Sequence, residues 1–465
     1  MKRRLSINPV TRANGVLSLE VDLEDHAVVD ARSIGPIFRG FEVLLKGRDP
    51  RDAPYFTERV CGICSAAHGI AACLALENAA GVTIPPNGQL VRNLVLGADF
   101  LQSHIRHFYL LALPDYFAGP DVPPFRPRSF QDLRFGREAE LRLTEHYVQA
   151  IAASRRAHQV VGMLGGKAPF PHSLVPGGAS ISPTAHLVTE VRSVLREVRG
   201  FIEGIYLDDL ELLKVTYPDY FELGTGPLDL LVFRLFPLLP GGALWDSGAV
   251  LDGRPEAVVE AEIAEDVTRA FFAQAAGGHP SQGHTYPDPG KENSYTWVKA
   301  PRYRGRAMEC GPLARAWLSG DRTRGPSVMA RLEARAREAL QVARAMEDWL
   351  DQLVPGDPVT LPITVPRNAS ASGLAGAQRG ALGHWMRIEG GRIASYQIIT
   401  PSAWNFSPRD SQGQPGPVER ALMGTRVENP EEPVELGRIV RSFDPCVSCA
   451  VHVTRAGGQA QVLKL

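Results

Sequence analysis

The chain has 465 residues, of which 44% are hydrophobic and 22% are charged, so it can bury a large core. Lys and Arg total 50 and Asp and Glu total 51, a balance that argues against nucleic acid or an anionic membrane as the main partner. The basic N-terminus precedes no apolar run, and no stretch is apolar enough for a membrane span. We therefore expect neither a signal peptide nor a transmembrane segment.

The periodicity of apolar residues predicts a β-hairpin first and long helices after it. In residues 15–30 apolar and polar side chains alternate, which is typical of a hairpin with one buried face. A short helix is expected within 35–61, ahead of an Ala-rich helix that ends at Gly81. We expect the main helices at 65–80, 88–113, 136–164, 184–214 and 327–354.

No domain boundary stands out, so we predict a single unit over 1–465. Residues 216–326 are rich in Gly and Pro and predict irregular structure with weak strands. Residues 384–400 predict a short hairpin that turns at Gly390 and Gly391. The expected fold is predominantly α (α+β), with a long-helix bundle core and small β elements near both termini.

Four of the six cysteines form two Cys-x-x-Cys pairs near opposite ends of the chain. Cys61 pairs with Cys64 and Cys446 with Cys449, and His452 stands three residues after the second pair. Two such pairs can bring four thiolates to one point, the geometry of a tetrathiolate metal site. A structural zinc clamp is one interpretation, although zinc pairs usually lie within a few tens of residues of each other. The remaining cysteines are interpreted as small buried apolar residues: Cys73 and Cys310.

Five ordered motifs lie along almost the whole chain. They are Phe38-Arg39-Gly40-Phe41-Glu42, Arg59-Val60-Cys61-Gly62-Ile63-Cys64, Gln378-Arg379-Gly380-Ala381-Leu382-Gly383-His384-Trp385, Pro401-Ser402-Ala403-Trp404-Asn405 and Asp444-Pro445-Cys446-Val447-Ser448-Cys449-Ala450-Val451-His452. Together they resemble the motifs of the large, catalytic subunit of NiFe hydrogenases of the respiratory, uptake type, and an ordered set is far more specific than any one motif. The resemblance implies the fold of that subunit and an enzyme that oxidises H2 heterolytically to protons and electrons.

The resemblance also implies a Ni-Fe centre whose iron carries CO and cyanide ligands. Cys61 and Cys446 would be terminal ligands of nickel, and Cys64 and Cys449 would bridge nickel to iron. The thiolate of Cys446 would be the first proton acceptor, a role that fits the basicity of thiolates.

Further residues match the family's groups around that centre. Arg379 would lie above the metals and pair with Asp444, while Ser402 would donate to a cyanide beside Pro401. His68, two helical turns beyond Cys61, would support a cysteine sulfur.

A second metal and a processed tail follow from the same resemblance. Glu42, the backbone carbonyl of Ile398 and His452 would hold Mg²⁺, or iron or calcium in its place, since these are ligands for a hard cation. Residues 453–465 would form a C-terminal extension that a dedicated endopeptidase removes once nickel is bound. H2-sensing members of the family usually lack such an extension, so its presence favours an energy-converting enzyme.

The expected partners are those of a hydrogenase large subunit. The six cysteines leave too few for an iron–sulfur cluster in this chain, so a small subunit with iron–sulfur clusters must accept the electrons. Nickel–iron maturation proteins and a membrane cytochrome or quinone-linked subunit would complete the set. We expect membrane association on the outer, periplasmic face through a signal on the small subunit, with a cytoplasmic location as the alternative.

Three positions depart from the family pattern. The N-terminal motif usually contains a proton-relaying Glu, whereas this chain has Asn14, which cannot exchange a proton at ordinary pH. Gln378 stands where a proline commonly precedes the arginine, and Ser103 stands where some members carry Asp. These departures bear on the proton route. The alternative functions are an H2-sensing regulatory hydrogenase, a non-catalytic quinone-reductase-like scaffold and the structural zinc clamp.

Overall fold

The structure is a computed structural model that describes residues 2–123, 125, 127–128, 132–322 and 324–447. The long helices pack side by side, with one nearly buried helix, α4, at the centre of the group. The helices are α1 (Phe41–Leu45), α2 (Ala53–Thr57), α3 (Ser65–Ala80), α4 (Pro86–Arg106), α5 (Arg137–Gly165), α6 (Ala185–Phe201), α7 (Leu207–Thr216), α8 (Pro312–Leu318), α9 (Val328–Gln352), α10 (Pro401–Asn405), α11 (Pro417–Leu422) and α12 (Val434–Ser442).

Helix α4 packs against both α5 and α9 and brings its polar residues into the core. At Gly97 a Cβ atom would lie 2.8 Å from the sulfur of Met346 on α9, so a larger residue there would require the Met346 side chain to move. Two predicted helices are interrupted. The one predicted for 88–113 continues beyond α4 as a wider π-type turn at His107–Ala112, and Ile202–Tyr206 forms a similar turn between α6 and α7.

The strands form small sheets around the bundle. They are β1 (Lys2–Ile7), β2 (Ser18–Glu24), β3 (Ala27–Ile34), β4 (Leu174–Val175), β5 (Gly178–Ala179), β6 (Leu230–Val232), β7 (Leu235–Pro237), β8 (Ala243–Trp245), β9 (Gly248–Leu251), β10 (Arg254–Glu256), β11 (Ile263–Asp266), β12 (Ala300–Tyr303), β13 (Glu309–Cys310), β14 (Ala369–Ala377), β15 (Gly380–Glu389) and β16 (Arg392–Ile399). The sheet orders are β1-β2-β3, β10-β9-β6-β13 and β14-β15-β16, with pairs β4-β5, β7-β8 and β11-β12. The α+β prediction is confirmed.

The predicted N-terminal hairpin is present as β2 and β3, and β1 adds a third, antiparallel strand that the sequence did not predict. The hairpin predicted at 384–400 is β15 and β16, which β14 extends in the same way. The region 216–326 holds the short strands β6 to β13 together with α8, in line with the weak strands expected there.

Helix α3 lies directly on β14, and this packing positions the first cysteine pair. A Cβ at Gly373 of β14 would collide with the backbone carbonyl oxygen of Ala71, so the helix and the strand touch along their backbones. Cys64 stands immediately before α3, and Gln378 and Arg379 form the connection between β14 and β15. Among the described residues, no helix combines the length and apolar character needed to cross a bilayer.

Candidate metal centre

Three of the four predicted ligand cysteines meet in the interior. The Sγ atoms of Cys61, Cys64 and Cys446 all lie within 4.8 Å of one another. The Sγ atoms of Cys61 and Cys446 are 3.1 Å apart, although 385 positions separate the two residues in the chain. All three cysteines are buried. Cys449, His452 and the extension 453–465 lie outside the described residues.

The loop that carries Cys446 is held by the N-terminal segment. The N–H of Asn14 donates to the carbonyl of Pro445 over 2.9 Å, and Asn14 forms a parallel bridge with Cys446. Asp444 adopts a left-handed conformation with φ of 55°, which turns the chain sharply after α12. The predicted departure at Asn14 therefore lies beside the centre, and its Nδ2 is buried with no hydrogen-bond acceptor in the described part of the chain.

Arg379 pairs with Asp444 as the sequence predicted. Its Nη2 donates to Oδ1 of Asp444 over 2.9 Å and to Oγ of Ser103 over 3.4 Å, and its Nε donates to the carbonyl of Asp444 over 3.1 Å. Burial acts to lower the pKa of Arg379, but Asp444 and the three cysteines outweigh burial and raise that pKa well above its ordinary value. The guanidinium is therefore a permanent positive charge next to the thiols.

Asp444 is held ionised by more than one cation. Burial acts to raise the pKa of Asp444, but the guanidiniums of Arg379 and Arg335 outweigh burial and lower that pKa below its ordinary value. Oδ2 of Asp444 lies 3.3 Å from Nη1 of Arg335 on α9, a partner that the motifs did not reveal. Asp444 is thus an anchor for the guanidinium rather than a proton carrier.

Ser402 and Pro401 begin α10 next to the second cysteine loop. The side chain of Thr400 caps this helix by accepting from the N–H of Ala403, which fits Pro401 at the first helical position. Oγ of Ser402 accepts from the N–H of Cys446 over 3.2 Å. The hydroxyl hydrogen of Ser402 is therefore available to a further acceptor at the centre.

His68 lies on α3 in a buried chain of rings. Its Nδ1 lies 3.1 Å from Nε2 of His384, whose Nδ1 lies 2.8 Å from the hydroxyl of Tyr396. Burial lowers the pKa of His68 to about 4, so the ring is neutral at physiological pH. Its Nε2 is buried with no hydrogen-bond partner in the described ranges, and the nearby thiol of Cys61 influences its titration. This nitrogen is free to serve a sulfur of the centre.

Glu42 and Ile398 meet at a separate cavity on the edge of β16. Oε1 of Glu42 accepts from the N–H of Ile398 over 2.9 Å, and Oε2 accepts from the hydroxyl of Thr285. The N–H and C=O of a strand residue point to the same side, so we expect the carbonyl of Ile398 to face Glu42 as well. The cavity lining includes Glu265 and Lys299, which form a buried ion pair over 2.9 Å.

The motifs missed a polar row on α4 that reaches the first cysteine loop. Gln102 Nε2 donates to the carbonyl of Ile63 and to Oδ1 of Asp99, each over 3.0 Å. Oδ2 of Asp99 accepts from Nε2 of Gln378 over 3.0 Å. The spacing of Asp99, Gln102 and Ser103 on one helix face was the available sequence signal.

The residues present fit a thiolate-bound Ni-Fe group. Three buried thiols supply soft donors, and the N-terminus of α3 next to Cys64 favours thiolate over thiol. Arg379 Nη1 and His68 Nε2 are buried polar atoms without hydrogen-bond partners in the described part of the chain. Both residues interact electrostatically with cysteines of the centre. A bound group with acceptor atoms would satisfy them.

The fold and the cysteine centre define a nickel-dependent hydrogenase. The family described as nickel-dependent hydrogenase matches residues 39–122, 119–325 and 320–452. The chain belongs to this family, as a nickel–iron hydrogenase large subunit that acts as an oxidoreductase on H2.

Relatives and solved structures agree with this assignment. The chain is 39% identical to the periplasmic NiFeSe hydrogenase large subunit of Desulfomicrobium baculatum, covering 98% of this chain and 96% of that protein. It is 31% identical to the uptake hydrogenase large subunit of Rhodobacter capsulatus, with 98% and 96% covered. The reduced NiFeSe hydrogenase of D. vulgaris Hildenborough superposes with a TM-score of 0.94 at 37% identity, covering 97% of this chain and 100% of that chain. These matches favour H2 oxidation and lend no support to the sensing, scaffold or zinc alternatives.

Proposed function

We propose that this chain is the catalytic subunit that splits H2 heterolytically and passes both electrons to a small subunit with iron–sulfur clusters. The observation that carries the proposal is the convergence of Cys61, Cys64 and Cys446 beside the buried pair of Arg379 and Asp444. A zinc clamp would need the thiols alone, whereas a permanent cation aimed at them fits a site that handles developing charge.

The cysteines would hold the two metals in distinct ways. Cys61 and Cys446 are proposed as terminal nickel ligands, and Cys64 and Cys449 as bridges to an iron that carries CO and cyanide. When bound, this group supplies the polarisation of H2 and the acceptance of its electrons.

The protein's own groups handle the proton and the charge. The thiolate of Cys446 would take the proton from H2, because a thiolate is a base of suitable strength next to the reaction. Arg379 would hold a positive charge over the centre and keep water and ligands in position, with Asp444 fixing its orientation. His68 would steady one cysteine sulfur through its free ring nitrogen.

Two further features of the family are proposed for this chain. Glu42, the carbonyl of Ile398 and His452 would hold Mg²⁺ at the cavity next to β16, which Glu265 and Lys299 also line. An endopeptidase would remove 453–465 after nickel insertion by the maturation proteins. The periplasmic name of one relative supports a location on the outer face of the membrane, reached together with the small subunit and coupled to a cytochrome or quinone-linked subunit.

The test is to co-express the chain with its small subunit and maturation proteins and to measure metal content, intact mass and H2-dependent dye reduction. Nickel and iron near one each, loss of 453–465 and H2 uptake are the expected results. Zinc alone, with the extension retained and no H2 uptake under maturation conditions, would contradict the proposal.

A further inference from the structure

A buried carboxylate lies directly behind the first cysteine pair. Asp99 of α4 is 3% exposed, and its hydrogen bonds from described residues come from the neutral amides of Gln102 and Gln378. The same Gln102 amide donates to the carbonyl of Ile63, one of the two residues between Cys61 and Cys64. Ile63 in turn donates from its N–H to Sγ of Cys61 over 3.4 Å. Asp99 is therefore linked to the centre through Gln102 and Ile63.

Asn14, Ser103 and Asp444, three polar residues beside the centre, are poorly suited to carry a proton. Asn14 and Ser103 have no ionisable group that titrates at ordinary pH. Asp444 is paired with the guanidiniums of Arg379 and Arg335, which keep it ionised. Asp99 differs from Asp444 because its hydrogen-bond donors are neutral amides, which favour the ionised carboxylate less strongly than two guanidiniums do.

The charges around Asp99 leave its two protonation states close in energy. Burial raises the pKa of Asp99 to about 7, although the hydrogen bonds from Gln102 and Gln378 act to lower this pKa. Of the nearby ionisable groups, the thiol of Cys61 raises the pKa of Asp99 and the guanidinium of Arg106 lowers it. Other titratable or charged groups that act on this cluster from the neighbouring elements are Glu58, Arg379, Asp444 and His158.

We propose that Asp99 is the proton-relaying carboxylate of this enzyme, which receives protons released at the cysteine centre and passes them outward. The proposal rests on the proposed function and deepens it. In each transfer the carboxylate of Asp99 gains one proton, becomes a neutral acid and then releases that proton, with no electron moving alongside. Because two protons leave per H2, Asp99 cycles twice per turnover.

The polar row on α4 gives the direction of the exit. Arg106 lies one helical turn after Gln102 on α4, and its Nη2 donates to Oε1 of Gln102. Arg106 also acts on His158 of α5, and both side chains are partly exposed. The row of Asp99, Gln102 and Arg106 therefore leads from the cysteine loop towards the face between α4 and α5. The amide of Gln102 and the guanidinium of Arg106 do not titrate, so waters along this row would carry the proton that Asp99 releases. Gln378 Oε1 is buried with no hydrogen-bond partner in the described part of the chain, so a water beside Asp99 would find an acceptor there.

The first test replaces the carboxylate in the matured holoenzyme. D99N keeps the size and the hydrogen-bonding amides but cannot accept a proton, so H2 oxidation should fall about 100-fold with nickel and iron content unchanged. D99E should restore most of the activity with a shifted pH profile. The control is D209N, because Asp209 is also fully buried and accepts from Tyr109 and His146, yet makes no hydrogen bond to those residues of the centre that the structure describes. D209N should keep the wild-type activity per nickel.

The second test needs neither H2 nor bound metal. Infrared titration of the purified chain between about pH 6 and pH 8 should show a carboxylic-acid C=O band that D99N removes and D209N leaves in place. A D99N enzyme with more than half of the wild-type activity and an unchanged pH profile overturns the proposal, as does the absence of that band. If wild-type holoenzyme takes up no H2, the proposed function fails, and the infrared band alone then decides whether Asp99 exchanges protons.

Discussion

Arg379 and Asp444 form a buried ion pair in which one guanidinium binds both the side chain and the backbone of the same aspartate. Asp444 stands two residues before Cys446, so the pair couples the position of the cation to that of the cysteine loop. A guanidinium can make these parallel contacts because its donors form a planar fork, and an ammonium group cannot.

Replacing Arg379 by Lys should therefore cost activity without costing the metals. We expect R379K to lower H2 oxidation about 100-fold, the typical effect of removing one preorganised donor, while nickel and iron content stay near wild type. The control is R92K, since Arg92 forms an equally buried pair with Glu77 and donates to Glu77, Val175 and Gly178, none of which is a residue of the centre. R92K should lower the melting temperature but leave activity per nickel unchanged; equal activity losses in both variants would show a general packing effect.

Cysteine substitutions should separate ligands from packing residues. C446S should reduce nickel content to about a tenth or less, because a serine hydroxyl is a hard donor that stays protonated. C73A should keep full nickel content: Cys73 is buried in α3, and burial raises the pKa of its thiol, which leaves it an uncharged apolar group. Elemental analysis of both variants after maturation gives the answer, and nickel loss in C73A would contradict the assignment.

The cavity beside β16 should hold a hard cation that depends on the charge of Glu42. E42Q keeps the hydrogen bonds of Glu42 to Ile398 and Thr285 possible but removes the negative charge, so Mg²⁺ affinity should fall about tenfold or more. Nickel content should not change, since Glu42 is not among the thiol ligands. Magnesium and nickel are measured together in dialysed samples, and parallel loss of both metals would show that the two sites are not independent.

The stability of the metal-free chain should depend on pH through His107. Burial lowers the pKa of His107 from its ordinary 6.5 to about 3, and its Nε2 lies 2.7 Å from the carbonyl of Arg441. The folded state therefore favours the neutral ring: this contribution is complete above about pH 6.5 and is lost as the pH falls toward 3. Between those values the loss amounts to about 1.4 kcal/mol per pH unit.

H107Q keeps a donor for the carbonyl of Arg441 but does not titrate, so its free energy of unfolding should fall less steeply on acidification than that of wild type. Urea denaturation at several pH values measures both slopes. The matched control is H186Q, because the side chain of His186 is 81% exposed and should leave the slope unchanged. Identical slopes for wild type and H107Q would mean that His107 is already protonated in the folded state.

Local patterns predicted the elements whose signals are strong along the chain. Helix α3 begins after Cys64 and ends at Gly81 with φ of 65°, as the Ala-rich sequence and the glycine indicated. Strand β14 escaped prediction because Ala369–Ala377 is made largely of small residues without strand propensity. The position of β14 is set by its packing against α3, because only a residue without a side chain, Gly373, can lie this close to the backbone of α3. The position of such a strand is determined by tertiary packing, and no short stretch of the sequence carries the information about that packing.

The candidate site divides in the same way. Motifs led to the cysteines, Arg379 and Asp444, because each residue type at its spacing carries specific chemistry. Asp99 was missed because nothing in the sequence distinguishes it from an ordinary polar residue on a helix. Its amide partner Gln378 lies 279 positions away in the chain. Arg335 was missed for the same reason, since nothing near it in the chain marks its contact with Asp444.

The thiols of Cys61 and Cys446 meet across 385 positions, so the centre cannot assemble until all the residues between them have been made. Closing a flexible loop of that length costs about 5 kcal/mol in chain entropy, so the thiols do not meet until most of the intervening chain has folded. During translation Cys61 and Cys64 are made before Cys446, and the 385 positions between Cys61 and Cys446 must be added before the third thiol exists. A chain that stops before Cys446 keeps the first cysteine pair but lacks the third thiol, so it cannot assemble the cysteine centre.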